Sequence, residues 1–139
     1  MKSIYILFML CILGCQTKTT VQEISNPANT PLKAENFKAF NTRFHNDSVY
    51  QLNRIKFPLE GKYVDGLEQH SWAKNNWKMH KTPVSQTSPG PEYSHIYEET
   101  ADTLIIEKLW IENSGSNFER RFKLIDGKWY LVYCMDVNL

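Results

Sequence analysis

The stretch Asn117-Phe118-Glu119-Arg120-Arg121-Phe122-Lys123-Leu124-Ile125-Asp126-Gly127-Lys128-Trp129-Tyr130-Leu131-Val132-Tyr133-Cys134-Met135-Asp136-Val137 decides the fold. Phe118, Arg120, Phe122 and Leu124 fall on one face of a strand; Asn117, Glu119, Arg121 and Lys123 fall on the other. Asp126-Gly127 is a two-residue hairpin signal, because both positions tolerate positive φ. Trp129 to Val137 is apolar on both faces, as a strand inside a sheet is. Immediately upstream, Thr103 to Glu112 is rich in β-formers (Leu104, Ile105, Ile106, Leu109, Trp110, Ile111) and closes at the turn Asn113-Ser114-Gly115-Ser116. The C-terminal third is therefore a three-stranded antiparallel meander. Tyr93 to Glu98 alternates more weakly before it.

Helices come first in the chain. Leu32 to Asn46 reads as a helix, with Phe37, Phe40 and Phe44 on one face. Asn46-Asp47 interrupts it. Ser48-Val49-Tyr50-Gln51 fits a capping box for a second short helix, with Ser48 as cap and Val49, Leu52 and Ile55 turned inward. Lys56-Phe57-Pro58-Leu59 is extended, and Pro58 cannot donate to a ladder. Gly61 and Gly66 bracket Lys62-Tyr63-Val64, a short strand or loop. Gln69 to His80 has no clear period; a short helix through Trp72 and then a strand at Trp77 is the expectation. Thr82 to Pro91 is a Pro- and Ser-rich loop.

The N-terminus carries an address. Ile4 to Leu13 is an apolar run of about ten residues, or about 15 Å as a helix, and a membrane span needs about twenty. It is the core of a signal peptide, residues 1–14, to be set apart from the fold. Ile12-Leu13-Gly14-Cys15 resembles the bacterial lipobox. That resemblance implies acylation of Cys15 and a lipid anchor, since two or three chains hold a protein firmly at a membrane. Gln16 at the second position of the mature chain, rather than Asp, implies the outer membrane, with the domain facing the periplasm. Residues 15–31 are polar and Pro-containing, a tether with a mean reach of about 20–25 Å. Residues 32–139 form a single domain.

The charge balance excludes some partners. The chain has 16 Lys+Arg and 15 Asp+Glu, and the leader removes Lys2, leaving 15 of each. Nucleic acid is not an expected partner, because phosphate binding uses a basic excess. Of the three cysteines, Cys11 leaves with the leader and Cys15 carries lipid. Cys134 is then alone and is read as a buried, inert thiol.

Helices followed by a meander ending in Gly127-Lys128-Trp129-Tyr130-Leu131 resemble an NTF2-like (cystatin-like) cone, an α+β fold in which a curved antiparallel sheet wraps N-terminal helices. The run Phe37-x-x-Phe40-x-x-x-Phe44-x-x-Asp47-x-x-Tyr50-Gln51-x-x-Arg54-Ile55-x-Phe57-Pro58-Leu59, with Trp72 and Trp77, resembles an uncharacterised lipoprotein domain family of Bacteroidetes. Gln51-x-x-Arg54-Ile55-x-Phe57-Pro58-Leu59 is its most distinctive part. The resemblance implies fold and location, and supplies no activity. It also implies candidate O-glycosylation of Ser48 in Asp47-Ser48-Val49 and of Thr103 in Asp102-Thr103-Leu104.

No catalytic set stands out. The ionisable candidates are His45, His70, His80 and His95 with Asp47, Asp65, Glu68, Glu92, Glu98 and Glu99. No two of the histidines have the spacing of a helical metal pair, and there is no Gly-rich phosphate loop. No metal and no cofactor is expected, and each His reads as a surface or helix-end residue. The aromatics Trp72, Trp77, Tyr97, Trp110 and Trp129 are candidates to line a pocket at the cone's mouth, or else they fill the cone as core. Arg54 and the pair Arg120-Arg121 are read as a solvated face. The leading expectation is a non-catalytic envelope lipoprotein that binds a small ligand or a protein. The alternatives are a small enzyme using a His–carboxylate pair in the cone, and a structural docking module.

Overall fold

A computed structural model describes residues 33–87 and 90–139; the leader, Cys15 and the tether lie outside the described residues. Two helices, α1 (Phe37–Asn46) and α2 (Ser48–Asn53), precede six strands: β1 (Ile55–Asp65), β2 (Glu68–Trp72), β3 (Tyr93–Glu99), β4 (Leu104–Ile111), β5 (Asn117–Ile125) and β6 (Lys128–Asn138). They form one sheet in the order β2-β1-β6-β5-β4-β3. Only β1 and β6 run parallel; the other neighbours are antiparallel.

Helix α1 starts five residues later than the apolar pattern suggests. The Asn36 side chain accepts from Ala39 N–H at 3.0 Å and fixes the first turn there. Phe40 and Phe44 are fully buried and meet Phe122 edge-on, so the aromatic stripe is core. Asp47, with φ −128°, ends α1 and caps α2 through its carboxylate, which accepts from Tyr50 N–H at 2.9 Å. The expected cap at Ser48 is thus displaced by one residue. The shift turns Val49 outward, to 68 % exposure, and frees the Gln51 side chain for another task.

The meander follows its pattern. Asp126 and Gly127 both take positive φ (49° and 73°), the two left-handed residues that a tight primed hairpin turn requires. Along β6 the pairing slips. Arg121 faces Tyr133 while Phe122 faces Leu131, leaving Val132 as a bulge. Leu131 and Cys134 are three residues apart, yet both are fully buried. The bulge therefore explains why this strand reads as apolar on both faces.

The middle of the chain departs from expectation. Lys62-Tyr63-Val64 belongs to β1, whose pairing to β6 jumps from Ile55↔Leu131 to Glu60↔Tyr133. Pro58 sits inside that jump, where no ladder hydrogen bond is lost to its missing N–H. Gly61 lies so close to Cys134 that an added Cβ would stand 2.1 Å from the Cys134 carbonyl oxygen. Trp72 is in β2, not in a helix, and Trp77 lies in a loop, not in a strand. Both indoles pack against each other, with centroids 5.2 Å apart. With little periodicity of their own, these residues take their conformation from what they cover. A 3₁₀ turn at Val84–Gln86 then crosses β3 and β4.

Candidate functional site

Two polar clusters tie the helices to the sheet. The first lies where the domain begins. Glu35 accepts from both Arg54 Nη1 and Nη2 at 2.9 Å, from Tyr50 Oη at 2.9 Å and from Trp129 N–H at 2.9 Å. Its own carbonyl accepts from Trp129 Nε1 at 2.8 Å. Burial pushes the Glu35 carboxyl up, but the bonds from Trp129, Tyr50 and Arg54 outweigh it and hold the pKa below the usual value. Arg54 is therefore an ion-pair partner rather than part of a solvated face.

The second cluster lies inside the cone. Glu107 on β4 and Arg120 on β5 are register partners and both fully buried. Arg120 Nη2 stands 2.5 Å from Glu107 Oε2. Arg120 Nη1 lies 2.9 Å from His45 Nε2 and 3.3 Å from His80 Nδ1. A guanidinium only donates, so both imidazole nitrogens accept. The proton of His45 is then on Nδ1, which donates to the Asn41 carbonyl at 2.8 Å. Burial, with the Arg120 charge beside it, lowers the His45 pKa to about 4. The same two effects, with a smaller one from His45, lower His80 to about 3. The lone pairs that a general base would use are directed at Arg120. Glu107 Oε1 and Arg120 Nε have no hydrogen-bond partner among the described residues.

Arg120 thus does not share the solvated face expected for Arg120-Arg121; only Arg121 does, paired with Glu119 at 2.6 Å. Its alternation with Phe118 and Phe122 was the signal that it points inward. Glu107 carried the same signal, in step with Ile105 and Leu109. His45 and His80 come together although 35 positions apart, which no local pattern shows. They reach Arg120 partly because of Gln51. Its fully buried amide donates to the Phe44 and His80 carbonyls, both at 2.7 Å, and accepts from Trp77 Nε1 at 2.9 Å and His80 N–H at 3.0 Å. Every hydrogen-bonding position of that amide is used.

The other ionisable candidates do not join this cluster. His70 lies against exposed Glu68 at 3.5 Å and stacks on Tyr63. Asp47 is a helix cap, and Asp65 accepts from Tyr63 Oη. His95, Glu92, Glu98 and Glu99 are exposed. Among the described residues no three His, Cys, Asp or Glu side chains gather as metal ligands. Cys134 is fully buried, and burial raises its thiol pKa to about 12.

A groove of about 560 Å³ opens beside the cluster, between Thr87 and the end of the sheet; Leu109, Ile111, Phe118, Val137 and Asp136 are among its walls. Phe118 also contacts the His80 ring at 5.2 Å and the Arg120 guanidinium at 5.1 Å. It stands between the groove and the buried cluster. Burial raises the pKa of Asp136.

Of the five aromatic candidates, Trp110 lines the groove. Trp72 and Trp129 are buried core, with Trp72 Nε1 donating to the Cys134 carbonyl at 2.8 Å. Trp77 packs on that core, and Tyr97 is half exposed on β3 near Phe37. Ser48 and Thr103 are both exposed.

Two helices on a curved, mostly antiparallel six-stranded sheet make an α+β fold of the kind seen in NTF2-like and cystatin-like proteins. A cystatin-like protein from Bacteroides caccae superposes with a TM-score of 0.58 at 21 % identity, over 78 % of this chain and 80 % of its own. A protein from Bacteroides ovatus gives 0.59 at 23 %, over 77 % and 79 %. An NTF2-like protein from Bacteroides fragilis gives 0.50 at 21 %, over 80 % of this chain and 51 % of that one. No curated protein matches the sequence. The model of an uncharacterised Bacteroides family matches residues 35–138, and the chain belongs to that family. The matched region begins at Glu35, the residue that ties the start of the domain to Arg54 and Trp129.

Proposed function

We propose that this protein is an envelope lipoprotein, held at the outer membrane by acyl chains on Cys15, whose cone binds a small ligand at its mouth without transforming it. The groove carries this reading. Its walls are mostly apolar, with a few polar groups among them (Ser116, Asn117, Asp136, Asn138), the composition of a small-molecule site. Such a wall suits a sugar or a short amphiphile, which offer an apolar face and hydroxyl groups together.

An enzyme built on a His–carboxylate pair in the cone is less well supported. The two histidines there accept from Arg120 instead of orienting toward a carboxylate. The Ile12-Leu13-Gly14-Cys15 leader supports the anchor, and the polar residues 15–31 support a tether that stands the domain off the membrane. Glycosylation at Ser48 or Thr103 fits their exposure, and at Ser48 the hydroxyl is not needed as a cap, because Asp47 takes that role.

Amide NMR titration with a panel of mono- and disaccharides and short-chain amphiphiles tests the ligand reading. One ligand class should shift Leu109, Phe118 and Asp136, and Asp136→Asn should weaken its binding. Shifts confined to other surfaces, or none with any class, would contradict it. For the anchor, metabolic labelling with a clickable fatty acid should mark the wild type and spare Cys15→Ser.

A further inference from the structure

The two edges of the sheet are not alike. Strand β2 is short, and its pairing to β1 breaks between Leu59 and Tyr63. Such irregularity blunts an edge against further pairing. Strand β3 runs from Tyr93 to Glu99 in unbroken register with Ile111 to Ile105. It has no proline, no lysine and no bulge. It also carries three of the exposed large apolar side chains, Tyr93, Ile96 and Tyr97.

Which backbone groups of β3 are free follows from its end. Thr100 N–H donates to the Leu104 carbonyl at 3.0 Å, so Thr100 faces β4. By alternation, Glu98, Ile96 and Ser94 also face β4. The backbone groups of His95, Tyr97 and Glu99 face away from the sheet, where no described strand pairs with them.

We infer that β3 pairs with β3 of a second copy of this chain, antiparallel, about a two-fold axis through Ile96. In that register His95 and Tyr97 of the two copies stand opposite each other. Both present outward-facing N–H and C=O groups, so each pair exchanges two backbone hydrogen bonds. Ile96 meets Ile96 of the second copy as a non-hydrogen-bonded pair. Tyr93 stands opposite Glu99, within reach of its carboxylate, and Ser94 stands opposite Glu98. No two carboxylates face each other. An isologous contact must be self-complementary in this way, and shifting the register by one residue would place inward-bonded groups at the seam. The contact continues each six-stranded sheet into the next.

Two cysteine substitutions in the full chain read the register directly. Opposed residues of a non-hydrogen-bonded pair have Cα atoms about 4.5 Å apart, within disulfide reach. Ile96→Cys should therefore give a 96-to-96 disulfide on mild oxidation, identified by peptide mapping so that links through native cysteines are not counted. Ser94→Cys, several residues from its own copy across the seam, should give at least tenfold less 94-to-94 link. Sedimentation of the wild type should show reversible dimerisation with rising concentration, and Ile96→Lys, folded by circular dichroism, should remove it. Equal linking at 94 and 96, a monomer at every concentration, or a dimer that survives Ile96→Lys would each overturn the inference. So would a heterologous strand held on β3 in preference to a second copy.

Discussion

The Glu35 and Arg120 clusters use the same chemistry to opposite effect. At the domain's start, Glu35 and Arg54 are partly exposed, and the carboxylate takes bonds from Arg54, Tyr50 and the Trp129 backbone. Inside the cone, Arg120 and Glu107 are fully buried, and each retains an unpartnered atom. The first cluster joins the chain entering the domain to β6 and can exchange with water. The second joins α1, the loop at His80, β4 and β5 through one guanidinium. Desolvated charges depend on their partners far more than exposed ones do. The interior cluster should therefore be the more fragile of the two.

Removing Arg120 gives the widest separation. Arg120→Ala leaves Glu107 buried without its cation and two imidazoles without a donor, and should cost about 3–5 kcal/mol in chemical denaturation. Replacing both charges, as Arg120→Met with Glu107→Leu, should recover most of that loss, because an apolar pair of similar volume avoids the desolvation cost. A double variant as unstable as the single one would show that the histidine contacts dominate. Arg54→Ala probes the other cluster and should cost about 2 kcal/mol, the range for hydrogen bonds to a charged group. A loss equal to that of Arg120→Ala would erase the distinction. The smallest effect concerns the junction between α1 and α2. Asp47→Ala should lower the melting temperature modestly, and Ser48→Ala should leave it unchanged, since Asp47 is the cap.

Local patterns made much of the fold legible. The Asp126-Gly127 turn, the β5 alternation and the Phe37/Phe40/Phe44 stripe each reflect a period or a backbone requirement confined to a few neighbours. The site was less legible. Gln51 reads as a capping-box residue until its amide is seen to bind the His80 backbone, 29 positions away. Trp72 and Trp77 sit in a segment whose conformation follows from burying two indoles, so propensity misassigned both. Arg120 is the instructive case. Its parity placed it with Phe118 and Phe122, but its charge argued for water, and parity proved the better guide because Glu107 lay at the matching inward position.

His45 and His80 are neutral acceptors locked onto Arg120, not acid–base groups poised for chemistry. Imidazole nitrogen NMR across a pH titration, followed by denaturation at each pH, reads the protonation of both rings. With folded pKa values of about 4 and about 3 against about 6.5 in an unfolded chain, the native state binds fewer protons than the unfolded one between those limits. Stability is then full above about pH 6.5 and declines as pH falls, by up to about 1.4 kcal/mol per pH unit for each imidazole. Glu35 and Asp47, whose pKa values are also lowered, act in the same direction at lower pH, and Asp136, whose pKa is raised, opposes them. Both rings should stay neutral at pH 5.5, with His45 carrying its proton on Nδ1, as this assignment requires. Protonation of either ring near pH 6.5 in the folded protein would contradict it.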